Sequence, residues 1–373
     1  MNPFSPINDV INDPINYARR YKEESGNPVV GYLCSYTPEE IIFAAGAHPF
    51  RLFSSQETVR FAGSHLQTYS CSLVRGVLDE ALSGRLDFLD GVVFPHTCDS
   101  IQRLSDIWRL NIPFGFHSDV VLPVKLNTDS ARQYMNDVVG WFKSDLEAKL
   151  GREIAVDALR ESIALFNRIR ADLRKIYEMR SGQPDILSGR ELTGLVRASM
   201  FMDRRRLAET LSDVACLLPT RKAAGNLKGR KRLILAGGLC GDPEVYPVVE
   251  DAGGVVVWDD FCTGSRYIEG DVPEDMDPTE AIAERLLKRV VCPAKHADLH
   301  GRADYLLKAA KETKADGIVF FLLKFCDPHA FDYPYLKNRL DSDGIPSILV
   351  EMDDRPVAEG RIKTRLEAFL EMI

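Results

Sequence analysis

The sequence predicts an α/β protein with two parallel sheets that a helical segment joins. Short apolar runs rich in β-branched residues are each followed by a turn and a helical stretch, which is typical of βα units. These runs form two sets, one in each half of the chain. Between the sets, strand signals vanish and apolar residues recur at helical spacing. The length of 373 residues also exceeds what one hydrophobic core usually organises.

The two sets of apolar runs define two α/β domains. The first set predicts strands at 29–33, 91–94 and 113–116. The second set predicts strands at 232–236, 255–258, 317–322 and 347–350. We therefore expect an N-terminal α/β domain at 1–129 and a C-terminal α/β domain at 229–373.

A helical connector is predicted between them, at 130–228. One apolar stripe with spacings of three, four or seven residues indicates the buried face of a long helix, and its members are Leu159, Ile163, Phe166, Leu173 and Ile176. The Gly, Pro and basic content of 218–231 is typical of a linker that leads into the second sheet domain.

Composition excludes several classes of function. The net charge is −8, from 47 Lys and Arg against 55 Asp and Glu, and nonspecific binding to nucleic acid needs a positive surface. The longest apolar run, 318–323, has six residues, against the roughly 20 that a bilayer crossing needs. The N-terminus contains Asp9 and Asp13 and lacks the basic start and apolar stretch of a secretion signal. We therefore expect a cytoplasmic protein without nucleic-acid or membrane partners.

The eight cysteines are the most informative residues. They are Cys34, Cys71, Cys98, Cys216, Cys240, Cys262, Cys292 and Cys326. In a reducing cytosol they are not a disulfide framework, so each packs in the core, binds metal or reacts as a thiol. The sequence contains no CxxC pair, which excludes zinc ribbons and clusters with closely spaced ligands. Any metal site must collect its ligands from distant segments.

Five of the cysteines follow the carboxyl end of a predicted strand: Cys34, Cys98, Cys240, Cys262 and Cys326. In open α/β sheets, ligands bind at that edge because the loops converge there. Helix-start signals follow several of them, namely a capping box at 37–40, with Pro38 first in the helix, and the pairs Asp242-Pro243 and Asp327-Pro328. Cys71 also precedes a helix, which Ser70 or Ser72 is expected to cap.

Cys71, Cys98 and Cys326 are the candidates for one shared metal site. Each precedes a helix start, where partial positive charge stabilises a thiolate or an anionic cluster. A 4Fe-4S cluster is favoured over zinc, because structural zinc sites usually take closely spaced pairs of ligands. Three cysteine ligands would leave one iron open to substrate. Cys216 is interpreted as packing, and for Cys292 both roles stay open.

Six segments together resemble the 2-hydroxyacyl-CoA dehydratase family, which includes benzoyl-CoA reductase subunits and double-cubane cluster proteins. They are CSYTPEEIIFAAGAHPFRLF from Cys34, SCSLVRGVLD, HTCD, WDDFCTGSRY, KFCDPHAFDYPYLK and KTRLEAF. The resemblance covers residues 29–370. It implies two Rossmann-like domains with one iron–sulfur cluster between them, held by Cys71, Cys98 and Cys326. Ser35 matches a position where the catalytic chains of the family have a substrate-facing hydroxyl.

The resemblance also implies an activity and its partners. A lyase of this family removes water from a 2-hydroxyacyl-CoA after one electron forms a ketyl radical anion, which expels the neighbouring hydroxyl and acidifies the β-proton. A separate ATP-hydrolysing iron–sulfur activator supplies the electron, and this chain accordingly lacks a GxxxxGK[ST] motif. The second subunit is either a homologous chain or an identical copy.

Three alternatives stay open at this level. The first is a subunit of a benzoyl-CoA reductase-type enzyme. The second is a double-cubane 8Fe-9S protein that reduces small molecules, which needs six cysteine ligands: Cys34, Cys71, Cys98, Cys262 and Cys326 fall in plausible places, but Cys240 is displaced from the expected one. The third is a cluster-free scaffold subunit whose cysteines only pack.

Charged residues near the cysteines have competing interpretations. Three arginines are candidates for binding the phosphates of CoA: Arg51, Arg75 and Arg266. The favoured role for each is a surface or structural ion pair. His96 and His329 flank two of the candidate ligands, where each donates a proton or hydrogen bond at the site or satisfies the loop backbone.

Overall fold

Two four-stranded parallel sheets organise the chain, which confirms the predicted α/β class. The computed structural model describes residues 3–54, 59–222, 227, 229–238, 244–352 and 359–373. The strands of the first sheet are β1 (Val29–Tyr32), β2 (His48–Arg51), β3 (Gly91–Pro95) and β4 (Phe116–Val120). Those of the second are β5 (Lys231–Gly237), β6 (Gly254–Asp260), β7 (Gly317–Leu323) and β8 (Ser347–Met352).

Both sheets have the same strand order. The first is ordered β2-β1-β3-β4 and the second β6-β5-β7-β8, and all neighbouring strands are parallel. The order reverses between β1 and β3 in one sheet and between β5 and β7 in the other. In open α/β sheets, the crevice beyond the carboxyl ends of two such strands is the usual ligand site. Each sheet therefore has one such crevice.

The helices surround the sheets and fill the space between them. Those of the first half are α1 (Ser5–Asn12), α2 (Pro14–Ser25), α3 (Glu39–Ala44), α4 (Ser72–Leu82) and α5 (Asp99–Asn111). The middle of the chain contains α6 (Asp129–Leu150), α7 (Val156–Gly182), α8 (Gly189–Ala198) and α9 (Arg204–Leu217). Those of the second half are α10 (Val245–Asp251), α11 (Ser265–Ile268), α12 (Pro278–Lys288), α13 (Gly301–Thr313), α14 (Asp327–Ser342) and α15 (Glu359–Met372).

Helix α7 buries the apolar stripe that the sequence predicts. Leu159, Ile163, Phe166, Leu173 and Ile176 are all buried on it. The helix packs against α3 of the first half, against α9 and against β6 of the second half. The connector is thus a packed spacer between the sheets. In the part of the chain that the structure describes, no helix has the length and apolarity that a bilayer crossing requires.

Two strands of the first sheet differ from the prediction. The strand expected at 113–116 is instead β4, which begins at Phe116 and contains His117, Ser118 and Asp119. Gly115 precedes it with φ +69°, and a Cβ there would lie 2.9 Å from the Asp90 carbonyl oxygen, so the chain turns where the strand was predicted. The sequence prediction also missed β2. Both are edge strands, where polar residues and proline are tolerated, so continuous apolar runs do not mark them.

The predicted helix caps are displaced by one residue. Helix α3 begins at Glu39 after Pro38, and no side chain caps it, so the capping box at 37–40 is wrong. Cys326 rather than Asp327 is the N-cap residue of α14, and Cys71 rather than a neighbouring serine is that of α4. Cys240 and the pair Asp242-Pro243 lie outside the described residues. The domain boundaries at 129 and 228 stay predictions.

Candidate functional site

Three cysteines occupy equivalent places at the starts of helices. Cys71, Cys98 and Cys326 are the N-cap residues of α4, α5 and α14, each of which is at least 11 residues long. Cys98 follows β3 and Cys326 follows β7, so these two lie at the reversal points of the two sheets. An N-cap residue faces the unpaired N–H groups and the positive end of the helix dipole. All three positions favour a negatively charged sulfur.

The three cysteines line one cavity between the sheets. Its volume is about 650 Å³, and Cys71 and Cys98 contribute from the first half and Cys326 from the second. The whole segment 289–296, which follows α12, forms a further wall and includes Cys292. The structure therefore brings together the three thiols that the sequence selected, and adds a fourth that sequence reasoning left open.

The backbone before Cys326 is strained. Phe325 has φ 65°, in the left-handed region that a bulky residue rarely adopts, and its ring lines the cavity. Such outliers concentrate where function demands a particular geometry. Here the turn brings Cys326 from the end of β7 to the cavity wall within three residues.

Burial favours the protonated form of two of these thiols, Cys98 and Cys326. It raises the pKa of Cys98 to about 12, and the charges of Cys71, Cys34 and Cys292 act in the same direction. The pKa of Cys326 is raised well above its usual value, first by burial and then by the charge of Cys71. The N–H groups of Ile101 and His329 oppose these shifts by favouring the thiolates. Holding several thiolates here therefore requires a further positive centre.

Two buried cations flank Cys292 in the cavity wall. The Arg289 guanidinium donates hydrogen bonds to the Ser35 carbonyl oxygen at 2.6 Å and to the Ser35 hydroxyl at 3.2 Å. The Lys295 ammonium donates to the carbonyl oxygens of His96 and Leu122 at 3.1 and 3.3 Å. Burial lowers the pKa of Lys295 to about 8. Sequence reasoning missed both cations, because their partners lie far away in the chain.

Ser35 lies behind this wall. Its side chain is 5% exposed, it is not among the residues that line the cavity, and its polar atoms accept from Arg289. Ser35 therefore does not line the cavity itself, and its hydrogen bonds with Arg289 connect it to the cavity wall. The substrate-facing role implied by the resemblance stays a prediction.

The other candidate residues lie around the cavity rather than in its wall. Arg51 is fully buried and donates to the Cys262 carbonyl oxygen at 3.1 Å, and Arg266 forms a buried ion pair with Asp260 at 2.9 Å. Their burial and internal partners support the structural role that the sequence favoured for both arginines. His96 pairs with Asp119 at 2.9 Å, and burial lowers the pKa of His329 well below its usual value.

The remaining cysteines divide into two kinds. Cys216 is exposed on α9, so its interpretation as a packing residue is wrong, and it does not line the cavity. Cys34 is buried and Cys262 is half-buried, and neither lines the cavity, although the charges of both raise the pKa of Cys292. Among the described residues, no group of three or more His, Cys, Asp or Glu side chains could hold a single metal ion. A polynuclear cluster has its ligands farther apart than one ion does.

Comparisons with known proteins agree on one family. The model of the family "2-hydroxyglutaryl-CoA dehydratase, D-component" matches residues 34–373. The chain is 26% identical to the (R)-phenyllactyl-CoA dehydratase beta subunit of Clostridium sporogenes, over 99% of this chain and 98% of the relative. It is 28% identical to the beta subunit of (R)-2-hydroxyglutaryl-CoA dehydratase from Acidaminococcus fermentans, over 96% of each chain. A benzoyl-CoA reductase subunit of Thauera aromatica is 29% identical over 89% of this chain and 87% of its own length.

Proposed function

Because the chain belongs to the 2-hydroxyglutaryl-CoA dehydratase D-component family, we propose that it is the iron–sulfur subunit of a 2-hydroxyacyl-CoA dehydratase, a lyase. In this proposal Cys71, Cys98 and Cys326 hold a 4Fe-4S cluster. The observation that carries the proposal is the convergence of these three thiols, from three helix N-termini and both halves of the chain, on one cavity.

The donor set fits such a cluster. The three cysteines are free of disulfides, buried or half-buried, and close enough for the charges of two of them to affect the third. Sulfur donors select iron–sulfur clusters, and the wide placement of the donors suits a group larger than one ion. When bound, the cluster supplies one-electron transfer and, at an iron without a protein ligand, a Lewis acid.

The chain's own residues prepare the cavity for negative charge. The N-termini of α4, α5 and α14 contribute partial positive charge, while Arg289 and Lys295 contribute full charges at buried positions. In a site with little water, these charges act more strongly than they would at the surface. They stabilise both the thiolates and an added electron.

The cavity also has room for the acyl end of a thioester. Its volume falls in the range of about 300 to 1,000 Å³ that is usual for small-molecule sites. Exposed apolar side chains belong to its lining, including Val124, Leu299 and Phe331. They suit an acyl chain, whereas the polar hydroxyl and carbonyl would face the buried cations.

The proposed enzyme is an assembly. The relatives are named as subunits of dehydratases and of a reductase, which supports a second subunit for this chain. We propose a homologous second chain or a second copy as that subunit. A separate ATP-hydrolysing iron–sulfur activator would deliver the electron.

The test is anaerobic purification of the chain together with any subunit that copurifies with it, followed by iron and sulfide analysis. We expect about four irons per chain. We also expect an electron-spin resonance signal after an ATP-dependent activator has reduced the complex. The variants Cys98→Ala and Cys326→Ala should lose the iron, whereas Cys216→Ala on the exposed face of α9 should keep it. A colourless complex whose stability does not change in Cys98→Ala would instead support a cluster-free scaffold.

A second candidate is a double-cubane 8Fe-9S protein that reduces small molecules. The observation in its favour is that Cys34, Cys262 and Cys292 lie close enough to interact electrostatically, beside the first three thiols. It predicts about eight irons per chain rather than about four. A reductase acting on an aromatic acyl-CoA, the third candidate, would reduce the thioester's ring without releasing water.

A further inference from the structure

We propose that Cys292 supplies a fourth thiolate to the iron–sulfur cluster, so that in this chain cysteine binds every iron of a 4Fe-4S cluster. This inference rests on the proposed cluster at Cys71, Cys98 and Cys326. It goes beyond that proposal by giving a protein ligand to the fourth iron, which three cysteines would leave without one.

The position of Cys292 in the cavity is the first argument. The residue lies after α12, which ends at Lys288, and before α13, which begins at Gly301. Every residue from 289 to 296 lines the cavity, so Cys292 belongs to a continuous stretch of its wall. Cys71, Cys98 and Cys326 line the same cavity as Cys292.

The backbone around Cys292 is held in place from several sides. The Cys292 N–H donates to the Tyr36 hydroxyl at 3.4 Å, and the Cys292 carbonyl accepts from the Lys295 N–H at 2.8 Å. The His296 N–H donates to the Val124 carbonyl at 2.7 Å, which ties the segment to the loop after β4. An anchored segment between helices presents its thiol in one direction, as a metal ligand requires.

Two buried cations flank Cys292 in the chain. Arg289 and Lys295 are 4% and 5% exposed and stand on either side of it in the chain. Burial raises the pKa of Cys292, and the charge of Arg266 and the N–H of Ala294 only partly oppose this shift. A fourth thiolate adds one negative charge to the cluster, and these cations offset it without help from solvent.

The remaining cysteines are less suited. Among the described residues, Cys71, Cys98, Cys292 and Cys326 are the cysteines that line the cavity. Cys34 is buried outside it, and Cys262 is held by Arg51, whose guanidinium lies 3.7 Å from its sulfur. Cys292 is therefore the described cysteine, besides the three proposed ligands, that lines the cavity.

The consequence is that the cluster of this chain would transfer electrons only. A cluster with four protein thiolates has no open iron, so it accepts and passes on one electron without binding the substrate oxygen. The electron comes from the activator and leaves to the partner subunit, and no bond forms or breaks at this cluster.

The experiment uses the anaerobic complex with its partner subunit, and compares wild type with Cys292→Ser, Cys34→Ser and Cys216→Ser. Each protein is treated with one equivalent of ferricyanide. The electron-spin resonance signal of a 3Fe-4S cluster and the amount of released iron are then measured. A cysteine substitution in the partner subunit removes the partner's cluster beforehand, so that both readouts come from this chain. Clusters with an open iron lose it readily under this treatment. We expect little signal from wild type, Cys34→Ser and Cys216→Ser, and at least about tenfold more from Cys292→Ser.

The outcomes separate the inference from the function on which it rests. A strong 3Fe-4S signal from wild type, with about four irons present beforehand, overturns the fourth ligand and leaves the proposed function standing. This holds even if Cys292→Ser does not fold, because it needs only the wild-type chain. Absence of iron from wild type and every variant overturns the proposed function itself. A signal increased by Cys34→Ser rather than Cys292→Ser overturns the inference by assigning the fourth ligand to Cys34.

Discussion

Ser35 shows how one buried hydroxyl can hold a cation at the cavity wall. Its carbonyl and hydroxyl both accept from Arg289, which also donates to the Arg266 carbonyl at 2.5 Å. Replacing Ser35 with Ala removes one acceptor from a buried charged group. We expect Ser35→Ala to lower the free energy of unfolding by about 1 to 2 kcal/mol. Anaerobic chemical denaturation measures the change.

Ser342→Ala is the matched control for this substitution. Its hydroxyl is exposed on α14 and donates to the Asn338 carbonyl at 2.9 Å, so the expected change is about 0.5 kcal/mol or less. A loss of turnover in Ser35→Ala with no loss of stability would contradict the supporting role. It would favour the substrate-facing hydroxyl that the resemblance implies.

His48 makes stability depend on pH. Burial, and next the charge of Arg204, lowers the pKa of His48 to about 3, and its Nε2 lies 2.7 Å from the Phe201 carbonyl oxygen. The folded state therefore keeps the ring neutral at pH values where the unfolded chain, with an ordinary pKa near 6.5, binds a proton. The unfolded state binds more protons, so this contribution is complete above pH 6.5 and is lost as the pH falls towards 3.

The expected slope is about 1.4 kcal/mol for each pH unit below about 6. Replacing His48 with Gln retains a donor for the Phe201 carbonyl and removes the titration. The free energy of unfolding of His48→Gln, measured from about pH 4 to about pH 7, should therefore fall less steeply towards low pH than that of wild type. Identical slopes in the two proteins would show that His48 does not carry this dependence.

At the scale of elements, buried ion pairs join helix α3 to the connector. Glu39 accepts from Arg204 of α9 at 2.9 Å and from the Tyr267 hydroxyl of α11 at 3.1 Å, and Glu40 pairs with Arg170 of α7. These contacts lie directly after the loop that contains Cys34 and Ser35. The orientation of that loop thus depends on helices from all three parts of the chain.

Breaking one of these pairs should be costly, because it leaves a buried charge without its partner. We expect Glu39→Gln to lower the free energy of unfolding by about 3 to 5 kcal/mol. The matched control is Glu312→Gln, which removes an exposed pair with Lys308 on α13 and should cost about 0.5 kcal/mol or less. Thermal or chemical denaturation compares the two variants, and equal effects would contradict the structural role of Glu39.

The elements also show which parts of the fold could be predicted from the sequence. Central strands such as β1, β5 and β7 are buried on both faces and appear as continuous apolar runs, so they were found almost to the residue. The edge strands β2 and β4 contain polar residues and a proline, and the same rule failed there. Caps were displaced because Cys326 and Cys71 occupy N-cap positions usually taken by Ser or Asp.

At the scale of the molecule, the candidate site follows from topology. Parallel strands end at one edge of a sheet, where ligand-binding loops converge, so Cys98 and Cys326 could be placed at such edges from the sequence. The structure adds that β3 and β7 stand at the reversal points of the two sheets. The wall at 289–296 could not be found in this way. It has no strand or helix pattern, and its cations donate to Ser35, His96 and Leu122, which lie 173 to 254 positions away along the chain.

Cluster loading should stiffen the whole molecule, because the proposed ligands come from both halves. Cys71 and Cys98 precede helices of the first half, and Cys326 precedes a helix of the second. Bound iron would cross-link the two sheets across the cavity, and binding to the folded state alone stabilises it. Amide hydrogen exchange at 289–296 and in the first turn of α14 should therefore slow by about tenfold or more on loading. Cys326→Ala should lose this protection and Cys216→Ala should keep it, and equal exchange with and without iron would mean that no such cross-link exists.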